Sequence, residues 1–169
     1  MTSPSSLSSP IGRAQFLRGD FSGRRSPQRP PWAVAEERFV EQCGRSGACI
    51  AACPEKILEK GRGGFPQVDF ARGSCTFCGE CLKVCKSGAL LKLGDAAPWR
   101  LKAVIQPDCL AQAQVVCRTC GERCPVGAIR FPPLLGGVAK PLVDAAKCTG
   151  CGECFAPCPS DSIVLMAEQ

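Results

Sequence analysis

Cysteine is the residue whose number and spacing carry chemistry in this chain. Fifteen of the 169 residues are Cys and none is His. Two groups follow the pattern C-x2-C-x2-C-x3-C, in which three thiolates at three-residue steps bind three corners of an iron–sulfur cube, and the fourth reaches a neighbouring cube. These complete groups are Cys75, Cys78, Cys81 and Cys85, and Cys148, Cys151, Cys154 and Cys158.

A third group is stretched at its start. It consists of Cys109, Cys117, Cys120 and Cys124, with seven residues instead of two between its first and second Cys. We interpret the extra residues as a bulging loop that leaves Cys109 in reach of its corner of the cube. The alternative is that Cys109 is free and the site has three thiol ligands.

The first group carries a serine where a thiol is expected. It consists of Cys43, Ser46, Cys49 and Cys53. A hydroxyl ionises far less readily than a thiol and is a poor ligand for a soft cluster. We therefore expect the iron at that corner to be weakly held, as a labile [4Fe–4S] or a [3Fe–4S] cluster. The alternative is an ordinary [4Fe–4S] cluster with a serine alkoxide or water at this corner.

Exchange of the fourth cysteine between neighbouring motifs predicts three to four [4Fe–4S] clusters at four sites. The predicted ligand sets are Cys43, Ser46, Cys49 and Cys85; Cys75, Cys78, Cys81 and Cys53; Cys109, Cys117, Cys120 and Cys158; and Cys148, Cys151, Cys154 and Cys124. A zinc interpretation is weaker, because four-cysteine zinc sites use two C-x2-C pairs about 15–20 residues apart. Zinc would leave many of these thiols unused.

The composition argues against most enzyme classes. Without His, the chain has no Cys/His zinc finger, no C-x-x-C-H haem attachment, no Rieske centre and no His general base. A glycine-rich phosphate-binding motif is also missing from the sequence. Because no catalytic base, nucleophile or substrate pocket is recognisable, we predict a protein that is not an enzyme.

The cysteine count also bears on the cellular compartment. An odd number of Cys cannot pair completely as disulfides within one chain, and clustered reduced thiols are typical of metal binding in the cytoplasm. We find no apolar segment near the ~20 residues of a membrane span, and no signal-peptide core. The sequence thus predicts a cytoplasmic protein with no membrane span.

The positive charge is concentrated near the N-terminus. The formal net charge is +6, and residues 1–31 hold five Arg against a single acid, Asp20. Oxidised cubes with four thiolates carry about −2 each, so four clusters would bring the total to roughly −2. With no basic face and few stacking aromatics, we predict no nucleic-acid partner. Trp32 closes the arm, and we favour its docking on the body of the protein over docking on a partner.

Short repeated elements position the four motifs. After each fourth Cys comes a brief apolar step, usually opened by Pro, which we interpret as a short helix. Gly63-Gly64 and Gly136-Gly137 each precede a strand-like segment and predict two hairpins. The fold class is therefore α+β: tandem bacterial-type two-cluster ferredoxin domains over residues 36–99 and 100–169, after a flexible, disordered N-terminal arm over residues 1–35.

This layout resembles the NapF family, the ferredoxin-type proteins of periplasmic nitrate reductase gene clusters. The resemblance rests on Arg13 to Leu17, Arg29-Pro30-Pro31-Trp32, Gly64-Phe65-Pro66 and the stretched motif from Cys109 to Cys120. Family members usually have Cys at the position of Ser46. The resemblance implies a cytoplasmic polyferredoxin that binds the catalytic subunit of periplasmic nitrate reductase before export. It further implies a role in cluster insertion or reductive maturation of that subunit.

Two other functions fit the ligand pattern. A plain ferredoxin-type electron carrier, or an electron-transfer subunit of an oxidoreductase, would use the same cysteines. A sensor or cluster donor would exploit the weak corner at Ser46. The basic arm favours the accessory protein, because a diffusing carrier has no need of such a tail.

Overall fold

The computed structural model describes residues 27–168, so the predicted arm up to residue 26 lies outside the described residues. Within that range the secondary structure is sparse, with four α-helices and six short strands. The helices are α1 (Glu36–Gln42), α2 (Ala48–Ala51), α3 (Glu80–Lys83) and α4 (Thr119–Glu122). The strands are β1 (Leu58–Lys60), β2 (Pro66–Val68), β3 (Leu101–Ile105), β4 (Ile129–Arg130), β5 (Leu142–Val143) and β6 (Ile163–Ala167).

Two hairpins form where the glycine pairs predict them. Strand β1 pairs antiparallel with β2, from Leu58 opposite Val68 to Lys60 opposite Pro66. The connecting turn contains Gly63 and Gly64, whose φ angles of 64° and 80° favour glycine. Strands β4 and β5 form the second hairpin in the same way. The predicted hairpins are therefore confirmed, one in each half of the chain.

Each half is closed by pairing its beginning with its end. In the second half, β3 pairs antiparallel with β6 over five residue pairs, from Leu101 opposite Ala167 to Ile105 opposite Ile163. The first half has a reduced version, a single bridge between Ala33 and Leu90. The same small α+β plan is thus used twice, as the repeat predicts.

The boundary between arm and body differs from the prediction. The N–H of Val68 donates to the carbonyl of Gln28 at 2.7 Å, and Arg29 forms a 2.7 Å ion pair with Glu36. Trp32 is only 9% exposed. The predicted arm over residues 1–35 therefore extends too far, because the chain joins the first half from Gln28 onward. Docking of Trp32 on the body is confirmed.

The short helices expected after each fourth Cys do not form. The chain turns there instead, because the third residue after each fourth Cys has a left-handed backbone, which ends a helix. These four residues are Lys56, Gly88, Gly127 and Asp161, with φ angles of 55°, 76°, 59° and 49°. The helices α2, α3 and α4 lie before the last Cys of their motifs, and each carries the Cys at the third position of its motif.

The two halves pack against each other through aromatic rings and loops. The ring of Phe70 in the first half lies 6.3 Å from that of Phe155 in the second, and 5.7 Å from Trp99 at the end of the first half, between centroids. Beside them the Ser74 hydroxyl donates to the Glu153 carboxylate. The contact between Phe70 and Phe155 continues the apolar core from the first half into the second. None of the helices between residues 27 and 168 has the length and apolar character of a membrane span.

Candidate iron–sulfur sites

The four thiols predicted for the second-motif cluster line one cavity. Cys75, Cys78 and Cys81 come from the second motif, whereas Cys53 is the fourth cysteine of the first. The pKa of Cys75 is raised to about 11, mainly by burial and in part by the neighbouring Cys53 and Cys78 thiols, because like charges repel. This is the arrangement that exchange of the fourth cysteine requires.

The first-motif thiols meet the fourth cysteine of the second motif. Burial raises the pKa of the Cys49 thiol, and the nearby Cys43 and Cys85 thiols add to the effect. The second member of the first loop, Ser46, is exposed. Its hydroxyl accepts a long 3.4 Å hydrogen bond from the N–H of Ala48. Three thiols and one hydroxyl are thus available around this site.

The stretched third motif keeps its first cysteine with the others. Burial raises the pKa of Cys120 to about 11, with further contributions from the Cys109, Cys117 and Cys158 thiols. The inserted residues turn back on themselves, since the N–H of Ala113 donates to the carbonyl of Cys109 at 3.0 Å. Cys109 is buried, and its nearness to Cys120 supports the interpretation that it is a ligand.

Two cysteines of the fourth motif, and one of the third, lie near Cys154. The pKa of that thiol is raised to about 12, mainly by burial and in part by the nearby Cys151, Cys148 and Cys120 thiols. The sulfur of Cys124, the predicted fourth ligand, accepts a hydrogen bond from the N–H of Ala128 at 3.2 Å. Its assignment to this site stays a prediction.

The predicted sites follow one another through the molecule. Within the first half, burial and the nearby Cys75 and Cys49 thiols raise the pKa of Cys81 to about 12. Because Cys75 belongs to the second predicted site and Cys49 to the first, these two sites lie side by side. Between the halves, the N–H of Cys75 donates to the carbonyl of Cys151 at 2.8 Å. Cys120 lies beside Cys154 in the second half. The order is first, second, fourth, third.

The surroundings of the sulfurs suit thiolate ligands. Backbone N–H groups donate to sulfurs at 3.2–3.5 Å, and such bonds stabilise negative charge on a ligand. The donor and acceptor pairs are Leu90 with Cys85, Ala128 with Cys124, Phe77 with Cys75, and Ala103 with Cys148. A set of soft thiols with these donors fits an iron–sulfur cluster.

Three hydroxyl side chains near the sulfurs were not singled out from the sequence. Ser87, Thr119 and Ser160 lie 3.7–3.8 Å from the sulfurs of Cys85, Cys117 and Cys158, respectively. Each is the second residue after its cysteine. A search for Ser or Thr at that spacing would have found them, because a hydroxyl at this offset can turn back toward the preceding side chain.

The thiols of the described residues do not form a site for a single metal ion. Among residues 27–168, no three His, Cys, Asp or Glu side chains are grouped to hold one metal ion. In a [4Fe–4S] cube each thiolate binds a different iron, so the ligands of one cluster are spread around it. This spread is compatible with cluster sites, and that each site takes ligands from two motifs stays a prediction.

The class of the protein follows from this arrangement and from family comparison. Residues 42–89 and 115–162 each match the 4Fe-4S dicluster domain, which makes the chain a ferredoxin-type protein with two such domains that bind [4Fe–4S] clusters. A ferredoxin-type protein NapF from Haemophilus influenzae is 43% identical over 165 residues, covering 92% of this chain and 93% of that protein. NapF from Escherichia coli K12 is 38% identical over 151 residues, covering 89% and 92%. The chain belongs to the NapF family.

A relative named for another metabolic system is similar over most of this chain. The methylamine utilization ferredoxin-type protein MauM of Methylobacillus flagellatus is 33% identical over 147 residues, covering 77% of this chain and 63% of that protein. The cysteine motifs alone therefore do not fix the partner. Features outside the motifs must distinguish the possible roles.

Proposed function

We propose that the protein is a cytoplasmic iron–sulfur accessory protein of periplasmic nitrate reductase. It binds three or four clusters, associates with the catalytic subunit before export, and assists cluster insertion or reductive activation in that subunit. Clusters of this type supply one-electron transfer when bound. The observation that carries the cluster assignment is the cavity lined by Cys53, Cys75, Cys78 and Cys81, because two motifs contribute to it. Membership in the NapF family supports the partner.

The crossed ligand sets are tested by Cys85→Ala and its reciprocal variant Cys53→Ala. We expect roughly 12–16 iron atoms and matching acid-labile sulfide in the anaerobic wild type, for three or four cubes. Cys85→Ala should damage the site that contains Ser46, at a loss of up to about four iron atoms, and leave the second-motif cube intact. Cys53→Ala should do the reverse. Iron and sulfide analysis with electron paramagnetic resonance (EPR) measures both variants.

The opposite pattern would contradict the crossing. If Cys85→Ala removed the second-motif cube, each fourth cysteine would serve its own motif. Stoichiometric zinc without labile sulfide would contradict the cluster assignment itself.

An exposed apolar patch offers a surface for the proposed partner. The inserted loop of the third motif touches the β4–β5 hairpin, where the side chain of Gln114 accepts from the N–H of Val138 at 3.5 Å. Large apolar side chains are exposed on both segments: Val115, Val116, Leu134, Leu135 and Leu142. Clustered exposed apolar residues mark protein interaction sites. The patch adjoins Cys117, so a partner bound there would lie beside the third site.

The partner role is tested by the double variant Val116→Ser with Leu135→Ser. We expect its Kd for the purified catalytic subunit of periplasmic nitrate reductase to rise by ~10-fold or more, because truncation of central apolar contacts costs over 1 kcal/mol each. Leu93→Ser, at another highly exposed apolar residue but in the first half, is the control and should bind as wild type does. Both proteins should keep full iron content.

Removal of residues 1–26 tests the arm in the same assay. We expect weaker binding and intact clusters, since no predicted ligand lies in this segment. The deletion ends there because Gln28 and Arg29 pack on the first half. Unchanged affinity in both the patch variant and the deletion would refute the accessory role.

A general electron carrier is the second candidate. The succession of adjoining sites across both halves favours it, because such an arrangement suits passage of single electrons through the molecule. The similarity to MauM shows that related chains occur in another system. A carrier would reduce or oxidise the catalytic subunit in fast, salt-dependent encounters without forming a complex that survives gel filtration.

A further inference from the structure

One buried donor near the second site has no acceptor. The indole N–H of Trp32 is inaccessible to solvent and finds no hydrogen-bond partner among residues 27–168. The whole side chain is 9% exposed. Buried polar groups are nearly always paired, because an unmade hydrogen bond is unfavourable in a low-dielectric interior. This donor therefore calls for an acceptor that is not an atom of the described polypeptide.

The backbone holds this tryptophan in an unusual conformation. Its φ angle is 60°, which bulky residues rarely adopt. The carbonyl of Trp32 accepts from the N–H of Leu91 at 2.8 Å, and its own N–H donates to the carbonyl of Pro98. Such outliers persist only where the surroundings enforce them, and they concentrate at functional sites. The fold thus fixes the backbone of Trp32 beside this cavity.

Trp32 lines the cavity of the second-motif thiols. Trp32 shares its walls with Cys53, Cys75, Cys78 and Cys81, and the remaining lining is mainly apolar. The chain has only one other tryptophan, Trp99, whose indole N–H already donates to the carbonyl of Thr149 at 2.9 Å. Trp32 is therefore the tryptophan that has a free donor at a predicted cluster site.

We propose that the indole N–H of Trp32 donates a hydrogen bond to a sulfur of the cluster bound by Cys53, Cys75, Cys78 and Cys81, and thereby raises its reduction potential. The inference rests on the proposed cluster binding. A reduced cluster carries one more negative charge than an oxidised one, so a donor stabilises the reduced form more strongly. Trp32 would also cover this cluster against solvent.

The variant Trp32→Phe removes the N–H and keeps an aromatic ring in the cavity. We expect unchanged iron content. The ratio of oxidised to reduced second-site cluster at a fixed potential should rise ~10-fold, which means that the reduction potential falls by about 59 mV for one electron. EPR-monitored titration with dithionite measures the potential. Trp99→Phe is the matched control, and its potentials should equal those of the wild type.

A second measurement leaves Trp32 unchanged. In the Trp99→Phe variant, Trp32 is the sole tryptophan, so a ¹⁵N label in the indole reports on it alone. Pulsed EPR of the dithionite-reduced protein should detect ¹⁵N coupling, and the coupling should vanish when Cys53→Ala removes the second site.

The outcomes separate this inference from the proposed function. A fully loaded protein with no ¹⁵N coupling, or with an unchanged potential in Trp32→Phe, overturns the role of Trp32. Wild-type protein without iron or sulfide would instead overturn the cluster binding on which the inference rests.

Discussion

Removal of the clusters is expected to unfold the protein. Three of the four described helices have four residues, and each sheet has two strands. Isolated helices of this length do not persist in water, and two-stranded hairpins are marginal. The described polypeptide therefore lacks elements that would hold their shape without the groups between them.

The packing of the cysteines supports the same expectation. Cys81, Cys120 and Cys154 are buried in one continuous core with Phe39 and Ile163. Their raised pKa values, about 11 to 12, mean that bare thiolates are unfavourable there. Bound iron would stabilise the thiolates and link, through covalent bonds, motifs that are far apart in the chain. For sites of this kind, the free energy of metal binding is also folding free energy.

The experiment is anaerobic cluster removal with ferricyanide and a chelator, followed by circular dichroism and NMR. We expect loss of the dispersed amide signals, because the free energy of metal binding that is lost exceeds the ~5–15 kcal/mol of net stability that a domain has. The control is holo-protein carried through the same buffers without the oxidant. An apo-protein that unfolds cooperatively and keeps its native secondary structure would contradict the expectation.

Features with a strict local signal could be predicted from the sequence. The Gly63-Gly64 pair predicts the first hairpin because both residues need a left-handed backbone, which the structure shows. The spacing of the motifs led to the crossed ligand sets. The structure accordingly brings Cys53 to Cys75 and Cys85 to Cys49. The spacing of the two motifs in the second half likewise predicts ligand sets in which the fourth cysteines are exchanged.

Other features depend on contacts that the sequence does not encode locally. The turns after two of the fourth cysteines use left-handed Lys56 and Asp161, and this backbone is uncommon outside glycine. Four-residue helices show no detectable periodicity, so α2 to α4 could not be located. The packing of Phe70 against Phe155 arises only when the halves meet. The boundary at Gln28 likewise depends on its bond to Val68, far along the chain.

The loop around Ser46 has the shape of a complete ligand loop. Arg45 and Gly47, which flank it, have φ angles of 53° and 76°. In the second motif, Phe77 and Gly79 flank Cys78 with nearly the same angles, 56° and 77°. The backbone thus holds residue 46 where the second motif holds a thiol. The side chain, not the loop, distinguishes the first site from the second.

Air exposure of the wild type is therefore expected to release iron first from the corner at Ser46 and produce a [3Fe–4S] EPR signal. Three irons of this site have thiolate ligands from Cys43, Cys49 and Cys85, whereas the fourth faces a hydroxyl that must lose a proton against a much higher pKa than a thiol. Ser46→Cys should suppress the signal and slow iron loss by ~10-fold or more, because loss of even an outer-shell partner changes metal affinity that much.

Ser46→Ala is the matched control, and it should give the wild-type signal or a stronger one, since it removes the weak ligand without adding a thiol. Time courses of the EPR signal and of released iron under air compare the three proteins. A signal that persists undiminished in Ser46→Cys would place the labile iron at another site. The third motif would then be the next to test, by Cys109→Ser, although Cys109 is buried beside Cys120 and is better placed to protect its corner than the exposed Ser46.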